Sequence, residues 1–219
     1  MYQPHRALIG DHLWTAMCEL APGHLRPARS VLLRQGDPAT HVILLDSGST
    51  LVTLSGAEGE RTLLAVRGPG ELLGELAVLD EKPRSATVIA AERCRVHLIP
   101  ASSFLLFVEE HGLLAPLLRH AITRVRESEA VRLEFATADV PLRLAGALGR
   151  LVRAGSQASG EPSVRLTQVE LSQMIGASRN AVGSAIKPWR ERGWLETEAG
   201  GGLVIHDIHA IEQDARHTT

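Results

Sequence analysis

Residues 70–88 read GELLGELAVLDEKPRSATV, a run that combines glycines, a carboxylate and an arginine–serine pair. Glycine has no Cβ, so the backbone at Gly74 can approach a bound molecule closely. The carboxylate of Glu75 can accept hydrogen bonds from sugar hydroxyls, the planar guanidinium of Arg84 can hold two phosphate oxygens, and Ser85 adds a hydroxyl donor. If the residues after Gly74 begin a helical turn, their free amides also favour an anion. These residue types predict a site for a phosphorylated sugar such as a nucleotide.

The spacing within this stretch resembles the phosphate-binding cassette of the cyclic-nucleotide-binding domain in the CRP/FNR family of bacterial transcription regulators. In that family the glutamate holds the ribose hydroxyl, and the Arg-Ser pair holds the cyclic phosphate. The alternative is a strand, a turn and a second strand with ordinary surface charges, because short motifs often occur by chance. The resemblance implies that the ligand-binding residues of the cassette are Gly74, Glu75, Leu76, Ala77, Arg84 and Ser85.

The composition is that of an ordinary globular protein, with 219 residues, 44% hydrophobic and 22% charged,. The length suits one large or two modest domains. Cys18 and Cys94 form no CxxC pair, which argues against a disulfide framework, a zinc ribbon or an iron–sulfur cluster,. The N-terminus lacks a basic segment followed by an apolar run, and no apolar stretch approaches the length of a membrane span. We therefore expect a cytoplasmic protein with no membrane partner.

The N-terminal half predicts a short helix over Asp11–Leu20, capped by Asp11, and then a series of short strands,. Many short strands separated by turn signals favour an antiparallel sandwich or jelly roll. A jelly roll can also be a cupin enzyme with a metal, but the strands hold only scattered histidines, such as His41 and His97, so we expect no metal site and no enzyme. The predicted strands are Val31–Leu33, Val42–Leu45, Leu51–Leu54, Thr62–Val66, Thr87–Ala90 and Val96–Ile99, and the turns between them include Gly36-Asp37, Ser47-Gly48, Gly56 to Gly59 and Gly68 to Gly70.

Residues 113–138 contain no internal glycine, and Pro116, the sole proline, lies in the first turn, so the stretch predicts one long helix,. A seam of residues at alternating spacings of three and four is typical of a coiled coil. We infer that two copies of this helix pair in a homodimer; the alternative is that the seam packs on its own jelly roll. The seam residues are Leu118, Ala121, Val125, Ser128, Arg132 and Phe135.

The same helix carries the candidate contacts for a purine. In the cyclic-AMP receptor group of the family, a Thr-Ser or Thr-Asn pair touches the purine across the dimer. Counting back from Asp139 places Ser128 and Glu129 at this level, and counting back from Phe135 gives residues 126–127 instead. Neither pair matches the family pattern. The purine contacts therefore do not single out cyclic AMP, and the expected effector is cyclic AMP or a related nucleotide. Glu129 could accept protons from the amino edge of a purine such as guanine.

The C-terminal part predicts a helix-turn-helix after a break at Asp139-Val140-Pro141,. A helix over Leu142–Arg153 and a Gly/Ser-rich loop over residues 154–163 come first. Thr167 with Glu170 forms a capping box, Gly176 allows the tight turn, and Ser178 caps the second helix. Pro188 should bend or end that helix near Ser184–Lys187. Residues 196–205 (ETEAGGGLVI) predict a strand-turn-strand wing.

The sequence LTQVELSQMIGASRNAVGSAI (residues 166–186) resembles the helix-turn-helix of the CRP/FNR family. The family's recognition helix opens Ser-Arg-Glu, and here Asn180 replaces the glutamate, which favours contact with adenine over cytosine. The stretch from Arg165 to Arg192 contains five basic and two acidic residues, a net charge of +3. Such a local positive charge favours contact with DNA phosphates. The resemblance implies that the DNA-binding residues are Thr167, Ser178, Arg179, Asn180, Gly183, Ser184 and Lys187.

These features together predict an α+β protein with three parts: a jelly-roll domain over 1–112, a dimerisation helix over 113–138, and a winged helix-turn-helix domain over 139–219. We expect a homodimeric transcription regulator gated by a cyclic nucleotide, which binds a palindromic operator in double-stranded DNA. The resemblance also implies RNA polymerase as a partner. The alternative is a regulator of the same fold that binds DNA with another effector, such as haem, or with none.

Overall fold

The computed structural model describes residues 3–56, 61–155, 163–164, 166–198 and 202–217. It divides into two compact units, Met1–Glu127 and Ser128–Thr219. The first unit holds α1 (His5–Ile9), α2 (Asp11–Glu19), β1 (Gly23–Arg26), β2 (Val31–Leu33), β3 (His41–Ser47), β4 (Thr50–Ser55), β5 (Arg61–Arg67), β6 (Glu71–Leu73), α3 (Glu75–Leu79), β7 (Thr87–Ala90), β8 (Cys94–Pro100), α4 (Ala101–Glu110) and the start of α5 (Leu114–Thr137). The second holds the end of α5, α6 (Val140–Gly155), β9 (Ser163–Val164), α7 (Gln168–Ile175), α8 (Arg179–Glu191), β10 (Leu195–Thr197), β11 (Leu203–Ile205) and α9 (Ile208–His217).

Two antiparallel four-stranded sheets form the first unit, with orders β1-β8-β3-β6 and β2-β7-β4-β5. Strand β3 is buried on both faces, because successive side chains point to opposite sides of a sheet. Val42 and Leu44 pack with Trp14, Met17 and other residues in a cluster against the helices. Ile43 and Leu45 belong to the second cluster, with residues such as Leu33 and Val88 of the other sheet. The predicted jelly roll is confirmed, and all six predicted strands are present.

The helix over Asp11–Leu20 is also present, but the prediction that Asp11 caps it is wrong. Gly10 is the N-cap residue, and it makes no side-chain cap bond. Asp11 is already helical, and its carboxylate accepts a hydrogen bond from Arg6 Nε at 2.6 Å. The Asp11 carboxylate therefore forms an exposed ion pair with Arg6 of α1 and does not cap the helix. Helices α1, α4 and α9 and strands β1, β6 and β9 were not predicted.

The predicted break between the two helices is present: α5 ends at Thr137 and α6 begins at Val140, two residues before the predicted start at Leu142. Asp139 Oδ1 accepts from the amide of Leu142 at 3.0 Å, and Pro141 lies in the first turn, where proline is tolerated,. The helix-turn-helix α7–α8 is followed by the predicted antiparallel pair β10–β11, and β11 also pairs with β9. The Gly/Ser loop after residue 155, Arg165, the centre of the wing at 199–201 and most of the Gly56–Gly59 turn lie outside the described residues.

Pro188 was predicted to bend or end the recognition helix near Ser184–Lys187, and the prediction of an end is wrong. Helix α8 continues through the proline to Glu191. Ile186 and Trp189 are buried on either side of it, and Trp189 Nε1 donates to Asp214 Oδ2 of α9 at 2.9 Å. Burial on both sides of Pro188 holds the helix in one piece against the local preference of the proline.

Within the described residues, no helix taken alone is long and apolar enough to cross a membrane. Helices α4 and α5 pass that test of length and composition only as a pair, and the pair is bent by 109°.

Candidate functional site

The predicted cassette begins where β6 ends, and a glycine makes the turn. Gly74 has φ of 80° and lies in the left-handed region, which residues with a Cβ rarely adopt,. It is the N-cap of the five-residue helix α3, so the residues after it do form a helical turn. A Cβ at this position would lie 2.9 Å from Leu33 Cδ1 and would also overlap the Arg84 guanidinium. Glycine is therefore required by conformation and by space.

Arg84 is held against the same glycine. Its Nη1 donates to the carbonyl oxygen of Gly74 at 2.7 Å, and its Nη2 donates to the carbonyl oxygen of His41. Only 4% of the residue is exposed. Burial lowers the pKa of Arg84, and the nearby carboxylates of Glu75 and Asp37 act in the opposite direction. A guanidinium has five N–H donors, so three remain for a ligand after these two bonds.

The other cassette residues differ in exposure. Ser85 is exposed, and Leu76 is 44% exposed, whereas Ala77 is buried. A groove of about 470 Å³ runs beside the cassette and is lined by residues that include Ala77, Lys82 and Leu105, but by neither Glu75 nor Arg84. The two charged groups of the cassette are therefore closed off from this groove.

Glu75 is nearly as buried as Arg84, with 5% of its surface exposed. Burial raises the pKa of this carboxyl, and the positive charge of Arg124 is the largest influence in the opposite direction. Glu75 Oε1 lies 3.6 Å from Nε2 of His5. Glu75 thus adjoins two residues, from α1 and α5, that the sequence analysis did not select.

Those two residues belong to a buried cluster of charged and polar side chains, composed of His5, Glu71, His120 and Arg124. Nδ1 of His5 lies 2.7 Å from Glu71 Oε2, and Arg124 Nη2 donates to the same oxygen at 2.5 Å. Arg124 Nε donates to His120 Nε2 at 2.9 Å, and the two histidine rings are 4.0 Å apart between centroids. The cluster therefore lies next to the buried Glu75 side chain of the cassette.

Burial dominates the electrostatics of this cluster. It raises the pKa of Glu71 to about 8, although Arg124 favours the ionised form. It lowers the pKa of His120 to about 4, with Arg124 and Arg67 adding to the effect. The pKa of His5 is also lowered, by burial first and then by Arg124, His120 and Arg67. Burial therefore favours the neutral form of both histidines.

One sequence signal could have located part of the cluster. Leu113, Leu117, His120 and Arg124 follow each other at spacings of four, three and four, which is one face of a helix,. The first three are buried in the first unit, whereas Leu118 and Val125 are each 58% exposed. The alternative that the seam packs on its own jelly roll is therefore wrong over the part of α5 within the first unit.

The predicted purine contacts, Ser128 and Glu129, are exposed on the part of α5 that belongs to the second unit. Their role stays a prediction.

The helix-turn-helix has the local geometry that its sequence predicts. The Thr167 side chain accepts from the amide of Glu170 at 3.2 Å, and the Glu170 carboxylate accepts from the amide of Thr167 at 2.8 Å, which completes the capping box. Gly176 has φ of 61° at the turn, and the Ser178 hydroxyl accepts from the amide of Ala181 at 3.1 Å. Arg143 of α6 also donates to the carbonyl of Ile175 at 2.9 Å, at the C-terminal end of α7.

Helix α8 has one buried face and one exposed face. Val182, Ala185, Ile186 and Trp189 are buried. The predicted DNA-binding residues Ser178, Arg179, Asn180, Ser184 and Lys187 are exposed, and Gly183 is half-buried. Thr167 is half-buried, and its hydroxyl is already engaged in the capping box. The second helix of the motif therefore presents a polar and basic face, as a DNA-reading helix does.

A jelly roll with a phosphate-binding cassette and a winged helix-turn-helix together define a DNA-binding regulator with an effector domain. Residues 26–111 match the family model of the cyclic nucleotide-binding domain, and residues 142–213 match that of the Crp-like helix-turn-helix domain. The chain belongs to the CRP/FNR family of transcription regulators. The curated relatives that it matches are transcription regulators and not enzymes.

Curated relatives and solved structures agree with this assignment. The CRP-like cAMP-activated global transcriptional regulator of Mycobacterium tuberculosis is 28% identical over 194 residues, covering 87% of this chain and 86% of the relative. The cAMP-activated global transcriptional regulator CRP of Haemophilus influenzae is 29% identical over 188 residues, covering 84% and 83%. The fold matches that of the c-di-GMP responsive global regulator CLP of Xanthomonas campestris, with a TM-score of 0.72, 19% identity, and coverage of 90% of this chain and all of that one.

The first prediction concerns the contact between Gly74 and Arg84. Gly74→Ala is expected to displace the guanidinium and to destabilise the first unit by about 1–3 kcal/mol, because the left-handed backbone and the overlap both oppose a Cβ. Gly36→Ala is the matched control, since Gly36 has φ of 86° but open space around the site of a Cβ. Urea unfolding followed by circular dichroism measures both. Equal losses in the two variants would show that contact with Arg84 adds nothing.

Proposed function

We propose that this protein is a homodimeric transcription regulator whose DNA binding is gated by a cyclic nucleotide held in the cassette. The observation that carries the proposal is that Arg84 is held against Gly74, the residue before Glu75, by the 2.7 Å bond from its Nη1 to the Gly74 carbonyl oxygen. Three guanidinium donors, the exposed Ser85 hydroxyl and the buried Glu75 carboxylate suit a cyclic phosphate and a ribose hydroxyl,. Glu75, Arg84 and Ser85 keep the roles that the family resemblance implies.

The identity of the nucleotide is a separate part of the proposal. The relatives from M. tuberculosis and H. influenzae are described as cAMP-activated, which favours cyclic AMP. The X. campestris regulator is described as c-di-GMP responsive, and Ser128-Glu129 differs from the pair of the cyclic-AMP receptor group. Cyclic AMP is the first candidate. Cyclic GMP and cyclic di-GMP are tested beside it, because the Glu129 carboxylate could accept hydrogen bonds from guanine.

The dimer is proposed from the outward face of α5. Four large apolar residues are exposed there at spacings of four, four and three: Leu114, Leu118, Ile122 and Val125, exposed by 60%, 58%, 45% and 58%. Such a stripe on one long helix is buried when it pairs with an identical stripe. The opposite face of the helix carries His120 and Arg124. We retain the division into a jelly roll (1–112), a dimerisation helix (113–138) and a DNA-binding domain (139–219) on this basis.

The DNA partner follows from symmetry. Two recognition helices in a dimer reach two major-groove sites about one helical turn, roughly 34 Å, apart, so the operator is palindromic. Effector binding shifts the population toward the state that fits these two sites, which requires a higher affinity for the nucleotide in that state. A cytoplasmic location and contact with RNA polymerase belong to the same proposal.

The second prediction tests the nucleotide. Cyclic AMP is expected to bind the wild-type protein in calorimetric titration, and Ser85→Ala is expected to weaken it about fivefold to tenfold, because one hydrogen bond to a charged oxygen is lost. Ser85 is exposed and suits the test because its loss leaves the core intact. Ser103→Ala, on α4, is the control. If none of cyclic AMP, cyclic GMP and cyclic di-GMP gives heat, the proposal of a nucleotide effector is wrong. The alternative is then a regulator of the same fold with another effector or with none.

The third prediction tests the reading of DNA. Arg179→Ala is expected to lower the preference for a selected operator over random DNA by about tenfold to a hundredfold, because a bidentate contact to guanine provides about 1–3 kcal/mol. Electrophoretic shifts with operator fragments selected from genomic DNA, with and without nucleotide, measure this preference. Arg216→Ala on α9 removes the same charge without touching the recognition helix. An Arg179→Ala protein that keeps its preference would contradict the assigned role.

The fourth prediction tests the dimer. Leu118→Glu is expected to give a monomer in sedimentation velocity, because two carboxylates would face each other in an apolar seam. Arg119→Glu changes the neighbouring exposed residue outside the stripe and is expected to stay dimeric. A wild-type protein that sediments as a monomer at micromolar concentration would overturn the proposed pairing of α5.

A further inference from the structure

The buried cluster behind the cassette contains the donor set of a metal site. One ligand atom from each of His5, Glu71 and His120 can be chosen so that the three atoms lie within 4.8 Å of one another, and all three residues are buried. Donors around a tetrahedral zinc ion, at about 2.1 Å each, are about 3.4 Å apart, so small side-chain movements bring these atoms to a shared ion. Two histidines and one carboxylate are also the set that holds non-haem iron.

His5 and Glu71 share one hydrogen bond inside the cluster. Nδ1 of His5 lies 2.7 Å from Glu71 Oε2, and the amide of Leu72 lies 3.2 Å from the same nitrogen. The tautomer of His5 decides which of these two atoms carries the shared proton. A metal ion bound by both residues would replace that proton.

A second observation points to a ligand independently of the donor set. Glu71 is fully buried, and its Oε1 has no hydrogen-bond partner among the described residues. Leaving a buried carboxylate oxygen without a partner costs free energy. A metal ion between Glu71 and the two histidines would take this oxygen as a bidentate or alternative donor.

Arg124 is hydrogen-bonded to two of the residues that a metal ion would need. Its guanidinium donates to both Glu71 Oε2 and His120 Nε2, so it binds two of the three donors itself. The Arg124 side chain is 18% exposed, whereas Glu71 is not exposed at all. The Arg124 side chain therefore reaches solvent, whereas the Glu71 carboxylate does not, and it can leave the donors when another cation arrives.

We propose that His5, Glu71 and His120 form a binding site for a first-row transition-metal ion such as Zn²⁺ or Fe²⁺, for which the Arg124 guanidinium competes. Imidazole donors favour these ions over Mg²⁺ and Ca²⁺, which prefer oxygen ligands. The prediction of no metal site considered the histidines on strands. The fold instead brings together two histidines from helices α1 and α5.

The proposed metal site adjoins the cassette through His5 and Glu75. When Nδ1 of His5 binds the metal, its Nε2–H points toward Glu75 Oε1, 3.6 Å away. Metal-bound histidines commonly donate their other ring nitrogen to a carboxylate, which fixes the ring. Metal occupancy would thus orient the carboxylate proposed to hold the ribose, and would release Arg124 from Glu71.

The fifth prediction is tested with Co²⁺, a spectroscopic substitute for Zn²⁺, on untagged, chelator-treated protein without nucleotide. One equivalent is expected to bind and to give a visible d–d absorption that Zn²⁺ removes. His5→Gln, Glu71→Gln and His120→Gln are each expected to weaken Co²⁺ binding at least about tenfold, since each removes one of three protein ligands. His24→Gln, an exposed histidine on β1, is the control and is expected to bind as the wild type does.

Arg124→Gln keeps the test decisive where a ligand variant fails to fold. Removing the competing guanidinium is expected to strengthen Co²⁺ binding about tenfold, which a merely structural arginine would not do. Absence of the visible band in both the wild type and Arg124→Gln would overturn the proposal. So would a bound Co²⁺ that is insensitive to His5→Gln and His120→Gln, because it would lie elsewhere. The titration contains no nucleotide, so its outcome is independent of the function proposed for the cassette.

Discussion

The guanidinium of Arg84 bound to the carbonyl of Gly74 is the contact on which the effector site depends. It joins the loop after α3 to the end of β6, and its second bond, to the carbonyl of His41, reaches β3 in the centre of the same sheet. A buried guanidinium needs such partners, because an unpaired charge in the interior is costly. The contact holds the cassette in shape. The two bonds leave three guanidinium N–H donors unused, so the same side chain can also bind the ligand.

Helix α5 connects this site to the rest of the molecule because its two faces have different chemistry. The inward face carries His120 and Arg124, and Arg124 donates to Glu71, which lies on β6 three residues before Gly74. The outward face carries the exposed apolar stripe that includes Leu118 and Val125. A change in the position of Arg124, whether a nucleotide or a metal ion causes it, acts on the same helix that we propose to pair with its partner. A two-state helix pair is the kind of element through which a bound effector can shift DNA affinity.

The DNA-binding unit follows local rules except at one residue. Its capping box, turn glycine and second cap each depend on residues three positions apart or fewer, and each forms as expected. Pro188 departs from the rule, because the burial of Trp189 and its bond to Asp214 hold α8 together. Local propensity decides a helix where tertiary contacts are weak, and packing decides it where a large side chain is buried.

The amino-acid sequence alone specified the residue types of the cassette, the order of the strands and the helix-turn-helix, because turn glycines, caps and hydrophobic periods are signals carried by neighbouring residues. The tertiary structure decided which groups are buried together. His5 and Glu71 are 66 positions apart, and Glu71 and Arg124 are 53 apart. No local pattern records such pairings. They exist only after α1 and α5 have packed against β6, which carries Glu71. The faces of α5 were decided in the same way, because which of its stripes meets the jelly roll depends on the surface that the folded strands provide.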